Sequence, residues 1–407
     1  MHAKTMYPCR MQNIKKFWLY IFFTVSSTGM FGAAYAQQIK LTDQLMVNIH
    51  SVTEQMDRSF YIQLPKNYGK VNKQYPLIIL LDAQDKTLYN YTSSTIDRLT
   101  WTNDIPEAIF VGIVQKDRSK ELSFEGNEKT SAMFLTFIKD ELIHYLHEHY
   151  ALNGYYTLIG HSLGGQFVTN AMLTYPETFR SIISISGALS YPESEPNFKR
   201  KVLTKLANYL AINTHRSYAK QKYYFSTGDE DYQESMFKIG ALAADSIFRT
   251  NKTNSINWHF DYLKGFNHAT TPLVSIPSGL TFIFHDWHFS DSLAMDVLLN
   301  HKTDPLQALN QQAAHILYSY GTEISIAAIA YYQFADYYLS KGEVNKAEIL
   351  INQIINLYPN NDESYSLMAQ VFIKKGEVKN AIKYLELAQT KSSVEKYAEK
   401  IKNLQKL

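Results

Sequence analysis

Residues 155–167, YYTLIGHSLGGQF, set one hydroxyl, Ser162, between Gly160 and Gly164 in a GxSxG pattern that follows directly on an apolar run. In one architecture this pattern puts a serine on a strained strand-to-helix turn with its oxygen clear of the sheet. Glycine is expected two positions before and two after it, where backbone crowds backbone. A serine hydroxyl is a poor nucleophile at neutral pH, so the chemistry also needs a base, a group that orients the base, and donors for a developing oxyanion. In that architecture the chain order is serine, acid, histidine. Downstream, YYFSTGDEDYQ ends an apolar run in a glycine and three acids, and Asp231 is the expected acid, with Asp229 and Glu230 as alternatives. YLKGFNHATTP then places His268 in a polar loop before another helix, where bases are mounted.

His268 has competitors among 13 histidines. His161 precedes the serine and reads as a spacer or a hydrogen-bonding partner. His144, His147 and His149 share one expected helix with Glu148, but the spacing is not HExxH, so a solvated helix surface is expected rather than a metal site. His285 and His288 flank Trp287 and read as packing or surface residues. The only cysteine, Cys9, lies in the first segment. A chain without it has no thiolate, no disulfide and no cysteine metal site. The expected chemistry therefore uses oxygen and nitrogen groups, with no cofactor.

These groups need a frame. From about residue 45 to 290, runs such as YPLIILLD, EAIFVGIV, SIISIS and KYYFST are short, continuous and rich in Ile, Val, Tyr and Phe, as strands buried on both faces are. Between them SAMFLTFIKDELIHYLHEHY spaces Phe134, Phe137, Ile138, Leu142 and Leu146 by three and four, an amphipathic helix. The alternation predicts a doubly wound, mostly parallel α/β sheet, with LMVNIHSVTEQMDRSFYIQLP as an antiparallel edge hairpin.

Residues 1–36 carry Lys15 and Lys16, an apolar stretch, and Ala34-Tyr35-Ala36 before Gln37, the order of a secretory signal with its cleavage site. Their removal would change 40 basic against 38 acidic residues to 36 against 38, because the segment holds four basic residues and no acidic one. That balance gives no basic face for nucleic acid. An exported protein, periplasmic or secreted and without a stable membrane anchor after cleavage, is the expectation.

After residue 300 the pattern is helical only. KGEV recurs at 341–344 and 375–378, a 34-residue separation, and Ala347 recurs as Ala381, Tyr331 as Tyr365, Tyr338 as Phe372 and Ile351 as Leu385. This is the tetratricopeptide period, though Ser393 stands where the second unit would have the proline of Pro359. Two units are fewer than usually stand alone, so residues 305–325 are expected to supply packing helices and the array to lean on the sheet domain. The expected division is 1–36 signal, 37–295 hydrolase-type domain and 300–407 helical domain.

Residues 45–290 resemble the putative esterase family of α/β-hydrolases, which includes siderophore esterases, feruloyl esterases and the antigen 85 mycolyltransferases. The resemblance rests on YPLIILLDAQ, IFVGIVQKDRSKEL, FIKDELIHYL, LIGHSLGGQF, YPETFRSIISISG, STGDED and GFNHATTP in that order. It implies Ser162 as nucleophile, His268 as base, an acid from the GDED loop, and an oxyanion hole from the backbone N–H groups of Leu163 and Gln84. Two departures stand out. Ala83 replaces the glycine of an LDG stretch, and SGALSY replaces SPSLWW, leaving Ser190 and Tyr191 in place of two rings beside the substrate. Lys116, Arg118 and Lys120 would suit an anionic ferric catecholate, with a structural Arg118–Glu121 pair as the other reading. The function expected is exported serine ester hydrolysis through an acyl-enzyme on a small-molecule ester, siderophore or other. Acyl transfer on the same residues is the alternative, as is a non-catalytic scaffold whose repeats bind a protein partner.

Overall fold

The computed structural model of the chain describes residues 45–190, 201–212, 221–251, 255–289, 291–300 and 302–406; the expected signal segment and Tyr191 lie outside them. The apolar runs become strands β1 (Leu45–Ser51), β2 (Met56–Gln63), β3 (Tyr75–Leu80), β4 (Ile109–Ile113), β5 (Leu152–His161), β6 (Ser181–Ile185), β7 (Gln221–Gly228) and β8 (Ile256–Leu263). Among the described residues they form one sheet in the order β1-β2-β4-β3-β5-β6-β7-β8. β1 and β2 make the expected antiparallel hairpin and β2 runs antiparallel to β4, while β4 through β8 are mutually parallel with β3. The architecture is that of an α/β-hydrolase followed by an all-helical region.

Successive strand residues point to opposite faces, so each central strand feeds two cores. Leu77, Ile79 and Leu81 join the core under helix Leu163–Thr174, with Phe167, Val168 and Ala171. Ile78 and Leu80 join the other, with Ile276 and Leu280 of helix Pro272–Ile283. Among the parallel strands β8 is the exception to two-sided burial: it closes the sheet, and Asn257, His259 and Tyr262 are exposed. The expected amphipathic helix is three consecutive pieces, Glu128–Thr136, a π-helical turn Phe137–Leu142, and Ile143–His149. The π turn inserts an extra residue into the ladder, and Phe134, Phe137, Ile138, Leu142 and Leu146 still all face the core at 0% exposure.

Behind the sheet, Pro305–Tyr320 packs first, and the repeats follow as Ala328–Ser340 with Val344–Leu357, then Asp362–Lys374 with Val378–Lys391. Each KGEV turn holds its glycine, Gly342 or Gly376, at φ +75°, a conformation that a side chain would strain. Ala347 and Ala381 are wholly buried where the helices of each pair cross. The second core runs without interruption from β3 through Tyr320 and Phe334 to Leu350 and Met368. Three of the polar contacts across this junction fall at the strand beginnings. Asn72 N–H donates to Leu357 O before β3, Asn153 at the start of β5 donates to Glu323 O, and Arg180 just before β6 donates to Tyr320 O. Lys222 in β7 is buried against Asp286 and the Ile283 carbonyl, with its ammonium 4.1 Å above the Tyr320 ring.

Tyr320 is therefore a pivot of the junction: it is fully buried, edge-on to Tyr155 at 5.0 Å, and donates its hydroxyl to Ile283 O at 3.2 Å. Replacing a large buried ring by alanine costs about 3–5 kcal/mol. Tyr320→Ala should lower the thermal midpoint of the whole chain in one transition, and deletion of residues 300–407 should leave insoluble or partly unfolded protein. A stable, soluble 1–299 fragment with an unchanged midpoint would show the two regions to be independent.

Candidate active site

The C-terminal ends of the parallel strands carry every residue singled out for chemistry. β5 runs into Ser162, which has φ 62° and ψ −118° and starts helix Leu163–Thr174. A non-glycine residue there is strained and must be held. The hold is backbone hydrogen bonding: Ser162 N–H donates to Ile185 O at 2.9 Å, and Ser162 O accepts from Gly165 N–H and Ala188 N–H, both at 3.0 Å. A Cβ on Gly160 would lie 2.2 Å from Gly164 O, so that glycine is obligatory. At Gly164 the nearest atom would be 3.5 Å away, an ordinary contact, whereas at Gly165 it would be 2.7 Å from Gly187 Cα. The second steric requirement thus falls on Gly165, one position later than the expected Gly164, because the helix crosses the β6 turn there.

His268 is buried in the loop after β8, and its Nδ1 is 2.7 Å from Glu234 Oε2. This corrects the expected acid. Asp231 instead caps helix Tyr232–Thr250, accepting from Glu234 N–H at 2.7 Å, and accepts His268 backbone N–H at 3.3 Å. Asp229 accepts Gly265 N–H, and Glu230 lies exposed. The sequence held a signal for this: in Asp231-Tyr-Gln-Glu234 an acid stands three before a Glu at a helix start, the spacing of an N-cap and its third helical residue. The cap uses Asp231 and leaves Glu234, one turn in, free to face inward.

Glu234 is 0% exposed, so its charge must be compensated within the fold. Oε1 accepts from Ser186 Oγ at 2.8 Å, Thr227 Oγ1 at 2.7 Å and Gly228 N–H at 2.6 Å. Burial alone would raise this carboxyl, but the hydrogen bonds from His268, Thr227, Gly228 and Ser186 hold it below the ordinary range. The His268 ring further stacks on Phe237 and lies tilted against His161, each with centroids 4.5 Å away. Its Nε2 is buried and makes no hydrogen bond among the described residues.

His161 is a hydrogen-bonding partner rather than a base: its Nε2–H donates to His268 O at 2.8 Å. Burial first, then the His268 and Arg118 charges, push its pKa down to about 4. His147 pairs with the Tyr156 hydroxyl, His144 with Glu148, His149 with Tyr145 O, and His288 with Asp104 O. Among the described residues no group of three or more His, Cys, Asp or Glu is arranged to hold a metal ion.

The backbone N–H groups of Leu163 and Gln84, expected as oxyanion donors, make no hydrogen bond among the described residues. Gln84 follows β3, and its side chain turns back, donating to Asp82 Oδ1 at 2.9 Å and accepting Gln115 N–H at 3.1 Å. Arg118 does not pair with Glu121. Glu121 is taken by the buried Arg58, and Arg118 forks onto both carboxylate oxygens of Asp82 at 2.7 and 3.0 Å. Lys120 pairs with Asp117.

The depressed His161 has a consequence for stability. An unfolded imidazole binds its proton near pH 6.5, the folded one only near pH 4, so the unfolded state gains protons first and stability falls as pH drops across that window. His161→Gln should lessen the fall in thermal midpoint between pH 7 and pH 4.5, and an unchanged slope would mean that His161 is not held neutral.

Residues 51–245 match the profile of the family described as "Putative esterase", and 328–361 and 362–390 each match a tetratricopeptide repeat. No curated protein matches the chain. Among solved structures, an IroE-like serine hydrolase from Shewanella oneidensis superposes with a TM-score of 0.63 at 18% identity, covering 77% of this chain and 99% of that one. An uncharacterised protein from Capnocytophaga ochracea gives 0.61 at 19% identity, covering 90% and 100%. The tenth of the chain left unmatched there is shorter than residues 300–407, so that structure shares helices behind the sheet as well. A siderophore hydrolase, EstB, from Aspergillus nidulans gives 0.50 at 16% identity, covering 60% and 96%. At these identities the likenesses show the fold, and the family match adds the chemistry: residues 51–245 match the putative esterase family, and the chain is a carboxylic ester hydrolase with tetratricopeptide repeats behind its sheet.

Proposed function

We propose that the protein is an exported serine esterase working through a Ser162–His268–Glu234 triad and an acyl-enzyme. The observation that carries this reading is the state of His268: Nδ1 is fixed by a buried carboxylate, Nε2 is buried without a hydrogen-bond partner among the described residues, and the ring lies tilted 4.5 Å from that of His161, the residue preceding Ser162. In the first step Ser162 Oγ attacks the ester carbonyl carbon and its proton passes to His268 Nε2. The N–H groups of Leu163 and Gln84 hold the oxyanion, Glu234 stabilises the imidazolium, and collapse of the tetrahedral adduct expels the alcohol with that proton. Water then repeats the sequence: His268 takes its proton, the hydroxide oxygen bonds to the acyl carbon, and Ser162 leaves reprotonated. Each carboxylic ester thus consumes one water and yields one acid and one alcohol.

Acyl transfer would replace that water by another alcohol and use the same residues. Hydrolysis is the simpler reading, because the second nucleophile is then the solvent. Export rests on the order of charges, apolar run and AxA site in residues 1–36, and among the described residues no helix is long and apolar enough to cross a membrane. A siderophore, the substrate class in the name of the Aspergillus hydrolase, is one member of the proposed range. Of the three cations expected to hold its negative charge, Arg118 is engaged by Asp82 and Lys120 by Asp117, which leaves Lys116 to meet an anionic group. The repeats dock at the strand beginnings, opposite the strand ends that carry Ser162, which leaves the catalytic side uncovered by them and suits tethering to a protein partner better than capping.

Ser162→Ala should abolish p-nitrophenyl butyrate hydrolysis while leaving the thermal midpoint within a few degrees, and residual wild-type turnover would remove the nucleophile from Ser162. Glu234→Gln should lower kcat by about 10²–10⁴-fold, against less than about tenfold for Asp231→Asn; the reverse ranking would return the acid to the GDED loop.

A further inference from the structure

The two N–H donors assigned to the oxyanion hole come from loops that are distant in sequence. One follows β3 at Gln84, the other follows β5 at Leu163. Hydrogen-bond donors stabilise a developing oxyanion only if they are fixed at the right separation before the reaction. A single side chain touches both loops. Arg118 Nε and Nη2 reach Asp82 Oδ1 and Oδ2 at 2.7 and 3.0 Å, and Nη2 also donates to His161 O at 3.1 Å. Asp82 is two residues before Gln84, and His161 is two before Leu163.

The loop that Arg118 grips is itself under constraint. Asp82 sits at φ 64°, a left-handed conformation that costs a non-glycine residue energy and persists only where its surroundings impose it. Three side-chain contacts besides Arg118 help to impose it. Asp82 N–H donates to Gln115 Oε1 at 2.6 Å, Gln115 N–H donates to Gln84 Oε1, and Gln84 Nε2 closes the ring on Asp82 Oδ1. Asp82 is 8% exposed in its side chain, and Arg118 is 36% exposed. The fork is the cationic partner of a nearly buried carboxylate, and a planar guanidinium can meet two oxygens and a carbonyl at once where an ammonium cannot.

From this we infer that Arg118 is the positioning residue of the oxyanion hole, clamping the Gln84 loop to the Ser162 turn through Asp82 and the His161 carbonyl. It rests on the triad reading proposed above, and it adds a device that this reading does not require. Arg118 touches no reacting atom in this assignment. Its loss should slow the steps in which negative charge develops on the carbonyl oxygen while leaving substrate affinity in place. A competing role exists, in which Arg118 attracts an anionic ester directly, and the two roles differ in what they do to kcat and KM.

The test measures kcat and KM of full-length wild type, Arg118→Lys, Arg118→Gln and Asp82→Asn on two esters: neutral p-nitrophenyl butyrate and an anionic ester such as mono-p-nitrophenyl succinate. Removing one oxyanion donor outright costs about 10²–10³ in kcat. Displacing donors through the clamp should therefore cost about 10–10²-fold in kcat on both esters, with KM within about threefold. The Arg118→Gln/Asp82→Asn double variant should lose no more than the worse single one, because both break the same contact. Arg118→Lys keeps the charge and guards against misfolding of the glutamine variant; it should melt with wild type and still lose turnover. Unchanged kcat in Arg118→Lys and Asp82→Asn, or a loss confined to the anionic ester through KM, would overturn the inference. Ser162→Ala measured in parallel separates the two levels. Activity in that variant refutes the triad reading itself, whereas an inactive Ser162→Ala beside fully active Arg118 variants refutes only the clamp.

Discussion

A carboxylate with no solvent exposure is the constraint from which the catalytic side of this molecule can be understood. An unpaired charge in the interior would be prohibitively costly, so Glu234 has to be met by donors on all sides. Those donors come from separate strand ends: Ser186 after β6, Thr227 and Gly228 at the end of β7, and His268 in the loop after β8. Satisfying one buried group thereby fixes three neighbouring strand ends relative to one another. It also fixes the imidazole, because Nδ1 can donate to Glu234 in only one ring orientation, and Nε2 is left on the far side of the ring. Gly228 is part of the same device, since a Cβ there would lie 2.0 Å from Phe266 O and push the two loops apart.

The same economy of geometry separates chemistry from docking. In a parallel sheet all strand ends of one polarity lie on one side, and loops there can converge on a site without disturbing the core. The helical region takes the other side, tied by Asn72 to Leu357 of the first repeat, by Asn153 and Arg180 to Glu323 and Tyr320 just before it, and by a continuous apolar core along one face. Two repeats alone would leave large apolar surfaces open, and the sheet domain supplies the missing neighbour. A partner held by the repeats would therefore not have to cross the entrance to Ser162.

Much of this was legible in the residues, for reasons that differ by element. The strands announced themselves because two-sided burial demands unbroken apolar runs, and the repeats because a 34-residue period ties turn, alanine and aromatic positions together. Ser162 and His268 stood out because a strained turn and a polar loop after a strand are local features. Glu234, the acid proposed to serve His268, is hidden in the sequence because its contact is decided by where it points, and the run GDED offers three acids nearer the strand end. The capping spacing Asp231-x-x-Glu234 was the available clue, and it identifies Asp231 as a helix cap. A pair of Arg118 with Glu121, three residues on, is one of the two readings its position allows, yet Glu121 is taken by Arg58 from β2 and Arg118 by Asp82 after β3. Neither pairing is local, so spacing along the chain could not rank them. Gly165 rather than Gly164 meets the β6 turn for the same reason: the crossing partner, Gly187, is contributed by another part of the chain.

The central proposal is that Ser162 is made nucleophilic by an imidazole that Glu234 holds. Its most direct measurement is the site and rate of covalent capture by a fluorophosphonate, read by peptide mass spectrometry on the full-length protein and on the His268→Ala and Glu234→Gln variants. A single adduct on Ser162, formed quickly in the wild type and far more slowly in both variants, is the predicted result. An adduct on another residue, or capture of Ser162 at the same rate without His268, would contradict it.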